Sequence, residues 1–316
     1  MSLRRQLALK RLIDSPSLVA LLVAAAYSIF AVAVWNARGR EITRFVVIGR
    51  ADVDPSQLPA GVALLPGHGY DGTAYYRFAL DPFTRVRTAF GITLDAPAYR
   101  QQRIGYPLVV WLLSGGSRRV VPWMLVMVNI LAVTAIGGLG AVFARLHGSA
   151  AAWGALAALY PGFLFSVSRD LTEPLACAFA IGAFVAMQRA RHVMAGVLFA
   201  CAVMTRESFL IAVFAVACAA MSSRARWITA TPPAAVYAMW QVVLRERWGA
   251  WPFLTGGPGF APPFVEYLHL LARPRPLWHE HRLPFTEAIY LGLTAIIVAM
   301  LFARRFFLMR EDSRLK

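Results

Sequence analysis

Acidic side chains are scarce in this chain. Asp and Glu number 16 against 32 Lys and Arg in 316 residues, a formal net charge of +16. Charge of either sign is thin as well, at 15% of residues where a soluble domain carries about 25%. Cysteine is nearly absent. Cys177, Cys201 and Cys218 all fall inside apolar stretches, with no CxxC or Cys/His spacing. That argues against a disulfide framework and a cysteine zinc site, and it says nothing of redox compartment. No internal repeat or low-complexity tract is present. There is also no basic cytosolic domain. The basic residues flank apolar blocks, where they act as topology signals and lipid-headgroup contacts, so nucleic acid is not an expected partner.

What is abundant is apolar sequence, at 59% of residues. It comes in blocks at 18–36, 120–143, 150–167, 171–188, 193–204, 208–222, 227–244 and 285–303. A full span needs roughly 20 residues, so 193–204 and 208–222 are short. "TRES" at 205–208 either breaks one long helix or joins two short ones. "YPLVVWLLSGG" at 106–116 is shorter still and reads as an interfacial helix closed by a glycine pair. The basic start, "MSLRRQLALKRLIDSPS", reads as the flank of an uncleaved anchor.

Positive charge in the short connections decides the path. With the N-terminus inside and 193–222 crossing twice, "ARLHGS", "QRARH", "SSRAR" and "ARRFFLMREDSRLK" all lie inside, and all are basic. The short outer connections, "SRDLTE" and "TRE", nearly balance their charges. The expected fold is therefore an all-α polytopic integral membrane protein with about eight transmembrane helices and short interfacial helices in the first outer loop. A single integral domain is expected over 1–316. It comprises a cytosolic N-terminus (1–17), an outer loop (37–119), a helical core (120–244), a second outer loop (245–284), a last span (285–303) and a cytosolic tail (304–316).

Polar clusters gather on the outer side of this path. "GYDG" sets Asp71 in a turn, and "TAYYRFAL" reads as a short amphipathic helix with Tyr75, Phe78 and Ala79 on one face. Lying at the membrane surface, it holds Asp71 at its N-terminus. "DAPAYRQQRIGYP" adds Arg100, Gln102 and Arg103. Glu173 and Glu207 stand at ends of apolar blocks, with Arg169 and Arg206 near them. Ionised groups in such places face a protein cavity or vestibule, or form helix-end ion pairs. In "DLTEP", Asp170 three residues before Glu173, then Pro174, is also a helix-start pattern.

Together, "YDGTAYYRFALDP", "PAYRQQRIGYPLVVWLL", "SRDLTEPL" and "MTRESFL" resemble the polytopic GT-C glycosyltransferases, most of all bacterial relatives of the GPI-anchor mannosyltransferases. The resemblance covers about residues 20–215. It implies transfer of a hexose or pentose from a polyprenyl-phosphate donor to a glycan, lipid or protein acceptor on the outer face, in a bacterial inner membrane. The family's acidic residue falls on Asp71, its Tyr-Pro-Leu segment on Tyr106, Pro107 and Leu108, and its later glutamate on Glu173. The chain is short for the family and shows no large soluble C-terminal domain, which leaves acceptor recognition to loop 245–284 or to a partner.

In the inverting scheme this implies, Asp71 takes the acceptor proton, and partial desolvation makes a positioned carboxylate a better base. Arg77, Arg100, Arg103, Arg169 and Arg206 are candidates for the leaving phosphate, with Arg103 and Arg206 preferred. Glu173, Glu207, Tyr76 and Gln102 would hold sugar hydroxyls. No metal or other cofactor is required. Asp71, Asp81, Glu173 and His68 offer ligands for a divalent cation, but no spacing supports the site. "HEH" at 279–281 reads as solvated, and "LTGGPGF" at 254–260 lacks the lysine of a phosphate loop. Two other classes share these features: a transporter or flippase, and a non-catalytic assembly subunit.

Overall fold

Ser15 opens the first helix. Its hydroxyl accepts the Leu18 N–H at 3.1 Å, and Pro16 follows in the first helical position, where its missing N–H costs nothing. The helix, α1 (Pro16–Ala37), buries Val19, Val23, Tyr27 and Ala31 at four-residue spacing and leaves Leu21, Leu22, Ile29 and Val32 exposed. The computed structural model describes residues 14–219 and 221–255, all within the unit Met1–Gly257. The first 13 residues, residues 256–284 of loop 245–284 with the "HEH" stretch, the span 285–303 and the tail 304–316 lie outside the described residues.

The described chain is mostly helical. After α1 come three short 3-10 turns, then α2 (Asp71–Leu80), α3 (Pro97–Gln101), α4 (Gly105–Ser114) and α5 (Val121–Leu146). The chain continues through α6 (Trp153–Ala158), α7 (Pro161–Val167), α8 (Glu173–Gln188), α9 (His192–Thr205), α10 (Leu210–Ala217), α11 (Ser223–Trp248) and α12 (Pro252–Thr255). Helix α5 is the hub and packs on α1, α6 and α8; α9 lies between α8 and α11. One hairpin interrupts the expected all-helical pattern. Strands β1 (Thr88–Ala89) and β2 (Ile92–Thr93) pair antiparallel around Phe90 and Gly91, both at positive φ as a tight hairpin turn requires.

Among the described residues, two helices, α1 and α5, are long and apolar enough to cross a membrane. The other expected spans that fall within the described residues are shorter or more polar. Block 150–167 is two helices, because Pro161 cannot continue a helix and Tyr160 before it turns out of helical geometry at ψ 118. Helices α8 and α9 have 16 and 14 residues, about 24 and 21 Å at 1.5 Å per residue. "TRES" is a break: Arg206 is extended, and a 3-10 turn over Glu207–Phe209 leads into α10. Helix α11 runs through Pro232 and Pro233 and carries arginines near both ends.

Helix α2 departs from the surface helix expected. Residues 72–80 are all buried, not one face alone. Tyr75, Tyr76 and Ala79 belong to the main core with Tyr106, Leu125 and Ile136, while Ala74 and Phe78 join a second cluster with Leu94 and Ile104. Only its N-terminal residue, Asp71, reaches solvent.

Candidate active site

Asp71 is the first residue of α2, and the start of α2 is held by backbone. The Val47 carbonyl accepts the Tyr70 N–H at 3.0 Å and the Thr73 hydroxyl at 3.2 Å. Val47 sits at φ 58, a strained region for a β-branched residue, which aims that carbonyl at the helix start. Gly72 fits directly between the carbonyls of Val46 and Arg169. A β-carbon there would stand 2.6 Å from the Val46 oxygen and closer still to the Arg169 oxygen.

Both carboxylate oxygens of Asp71 meet arginine. Arg100 Nη1 donates to Oδ1, and Arg103 Nη1 lies 3.7 Å from Oδ2. Arg100 also grips Asp95 with two parallel bonds of 3.0 and 2.9 Å, and this pairing holds the Asp95 carboxyl below its ordinary range. Arg103 is 6% exposed and reaches four partners. It donates to Glu207 at 2.6 and 2.9 Å, to the Tyr99 hydroxyl at 2.8 Å and to the Tyr75 hydroxyl at 3.4 Å. Burial pushes the Glu207 carboxyl up, but the Arg103 bonds more than offset this and leave it low. Burial likewise raises the Tyr75 hydroxyl, which Arg103 counters and Asp71 reinforces. Arg206 pairs with Glu173 at 2.5 Å. The α4 start and the α9 end are brought together at Gly105, where a β-carbon would stand 2.9 Å from the Thr205 nitrogen. That contact sets Arg103 beside the Arg206–Glu207 turn.

A cavity of about 380 Å³ opens beside Asp71. Asp52, His68, Thr73, Thr93, Asp95 and Arg100 share its wall. Asp52 accepts the Gly69 N–H at 2.6 Å and contacts the His68 ring at 2.8 Å. Its slight burial pushes the carboxyl up, but these two partners pull it below its ordinary value. Among the described residues, no group of three or more His, Cys, Asp or Glu side chains is placed to hold a metal ion.

The sequence-predicted residues thus divide. Asp71, Arg100, Arg103 and Glu207 form one connected network, and Arg206 with Glu173 forms a pair next to it in the chain. The Asp71 side chain is 33% exposed, so it is partly withdrawn from solvent. Arg103 and Arg206, the preferred phosphate ligands, already hold carboxylates. Arg169 holds none within 4 Å among the described residues. Its guanidinium lies 3.8 Å from the centre of the Phe165 ring and 5.6 Å from that of Tyr70.

Three candidates turn inward instead. Arg77 is fully buried, donating to the Thr84 hydroxyl at 2.9 Å and lying over the Phe90 ring. Tyr76 is fully buried, with burial raising its hydroxyl to about 12, and the hydroxyl has no partner among the described residues. Gln102 is buried, and its carbonyl accepts from Tyr237 at 3.0 Å. Asp81 caps the end of α2. Sequence reasoning missed Asp52 and Asp95, and it named Tyr75 only as part of a helix face. Only Asp95, five residues before Arg100, carried a local signal.

Comparison with protein-family models, with curated proteins and with solved structures returns no match.

Proposed function

We propose that the chain is a membrane glycosyltransferase that moves a sugar from a polyprenyl-phosphate donor to an acceptor, with inversion, at Asp71. The observation that carries this is the placement of one solvent-reaching carboxylate, Asp71, between a polar cavity and a set of arginine–carboxylate pairs. An inverting transfer needs a base on one side of the anomeric carbon and cations on the other.

Asp71 meets an arginine at each oxygen at rest, and a partly exposed carboxylate keeps lone pairs free for an acceptor hydroxyl, most openly at Oδ2. The 3.7 Å contact to Arg103 is the looser. The cavity lined by Asp52, Thr93 and Asp95 then receives the acceptor. Arg169, without a carboxylate partner among the described residues, offers its guanidinium to the donor phosphate first. A phosphate that also recruits Arg103 and Arg206 displaces Glu207 and Glu173, which turn to the sugar hydroxyls. The same exchange returns the ion pairs when polyprenyl phosphate leaves.

The topology in this reading is about eight spans, with both termini cytosolic and Asp71 on the outer face of a bacterial inner membrane. Helix α1 supports membrane insertion: only 22% of its apolar window is buried, too little for the core helix of a soluble domain. The test is to supply the purified chain with polyprenyl-phosphate hexoses and pentoses and follow sugar release. Release that falls in Arg169→Ala supports the reading; no release from any donor defeats it.

A further inference from the structure

Away from Asp71, a groove of about 450 Å³ runs between α4, α5, α8 and α9. Its wall is apolar, from Val109 and Leu175 at one end to Met194 at the other. Of the described residues that line it, only Arg189 and Arg191 are charged, and both stand exposed at the same end. They flank a tight turn, in which the Arg191 N–H returns to the Ala186 carbonyl at 2.9 Å and Ala190 takes φ 54. The turn sets both residues at the mouth.

We infer that this groove binds one acyl chain of an anionic phospholipid, with the lipid phosphate on Arg189 and Arg191. The inference rests on the membrane-spanning reading, in which "QRARH" faces the cytoplasm, and not on sugar transfer. Dimensions agree. From Leu175 to Ala186 the groove follows α8 for about 17 Å, close to half of a hydrocarbon core about 30 Å thick. Charge selects the occupant. The chain's own last apolar stretch, 285–303, is followed by Arg304, Arg305 and Arg310, so like charges would meet at the mouth. A phosphate complements it, and paired guanidiniums suit phosphate oxygens. Gly182 keeps the groove open: a β-carbon there would stand 3.5 Å from Leu198, so alanine fits and a larger side chain fills the space.

The full chain is taken from bilayers of equal phosphatidylglycerol and phosphatidylcholine and weighed intact by native mass spectrometry. Wild type is expected to retain one phosphatidylglycerol, in preference to phosphatidylcholine by roughly tenfold. R189Q/R191Q loses that preference while its melting temperature holds, and Gly182→Leu loses retention of both lipids with the arginines intact. Equal retention of the two lipids by wild type overturns the inference, as does a preference that survives in R189Q/R191Q. Wild type that retains no lipid also overturns it. A chain that alkaline carbonate strips from the bilayer defeats the spanning reading itself, whereas a chain that transfers no sugar leaves this lipid result standing.

Discussion

The carbonyl oxygen of Arg169 lies against the α-carbon of Gly72, in the space a β-carbon would fill. One backbone contact thereby couples the loop that carries Arg169 to the residue after Asp71. Gly72→Ala must push apart the Val46 and Arg169 carbonyls or shift the start of α2. Overpacking of this kind costs about 1–3 kcal/mol. The expected outcome is a lower melting temperature and a fall in turnover larger than the loss of folded protein explains, read by thermal denaturation beside sugar release.

Glu207 sets an acid limit on stability. Its carboxyl is held below the ordinary value by Arg103, so folding favours the charged form. That contribution is complete above the unfolded value of about 4.3 and is lost as pH falls through the lower folded value. Glu207→Gln leaves Arg103, 6% exposed, short of its main partner, at a cost of about 3 kcal/mol. Melting temperature against pH should lose its acid-side slope in this variant and start from a lower plateau.

Asp170 works in the opposite direction. It is fully buried at φ 51, and neither carboxylate oxygen has a partner among the described residues. Burial pushes its carboxyl well above the ordinary range, with Arg38 pulling weakly the other way. The stability it contributes is therefore present in acid and is lost as pH rises toward the folded value. Asp170→Asn removes the penalty and should melt at or above the wild-type temperature at neutral pH. A large destabilisation by Asn would mean that the carboxylate is charged and paired.

Topology is open to thiol labelling. In a background with Cys218→Ser, an impermeant reagent added outside should label Thr93→Cys and not His147→Cys, which should react only with reagents that reach the cytoplasm. Both positions are exposed. Labelling of both from the same side rules out the proposed path.

Much of the fold could be read from pattern. The Gly115–Gly116 pair and "TRES" punctuate the chain where helices stop, because each acts through local backbone geometry, whereas block 150–167 reads as one stretch although Pro161 divides it. Depth could not be read. Arg77, Tyr76 and Gln102 have the residue types of a sugar-phosphate site, and only tertiary packing turns them into the core. The same limit hid Tyr75 and Asp52, which reach the site from an inward-facing helix side and a distant 3-10 turn. Arg103 and Glu207 were each legible as misplaced charges, but a separation of 104 residues carries no local sign of their pairing. The "DAPAYRQQR" stretch was read for its arginines, and its first residue, Asp95, was passed over although it fixes Arg100.

The central claim is that Asp71 is the base. The direct measurement is sugar release from a polyprenyl-phosphate donor by purified wild type and by Asp71→Asn, with melting temperatures taken in parallel. Loss of a general base typically costs about 100- to 10,000-fold in rate. The account predicts a loss of that size in Asp71→Asn with the fold retained. Equal release by the two proteins would contradict it and remove Asp71 from the chemistry.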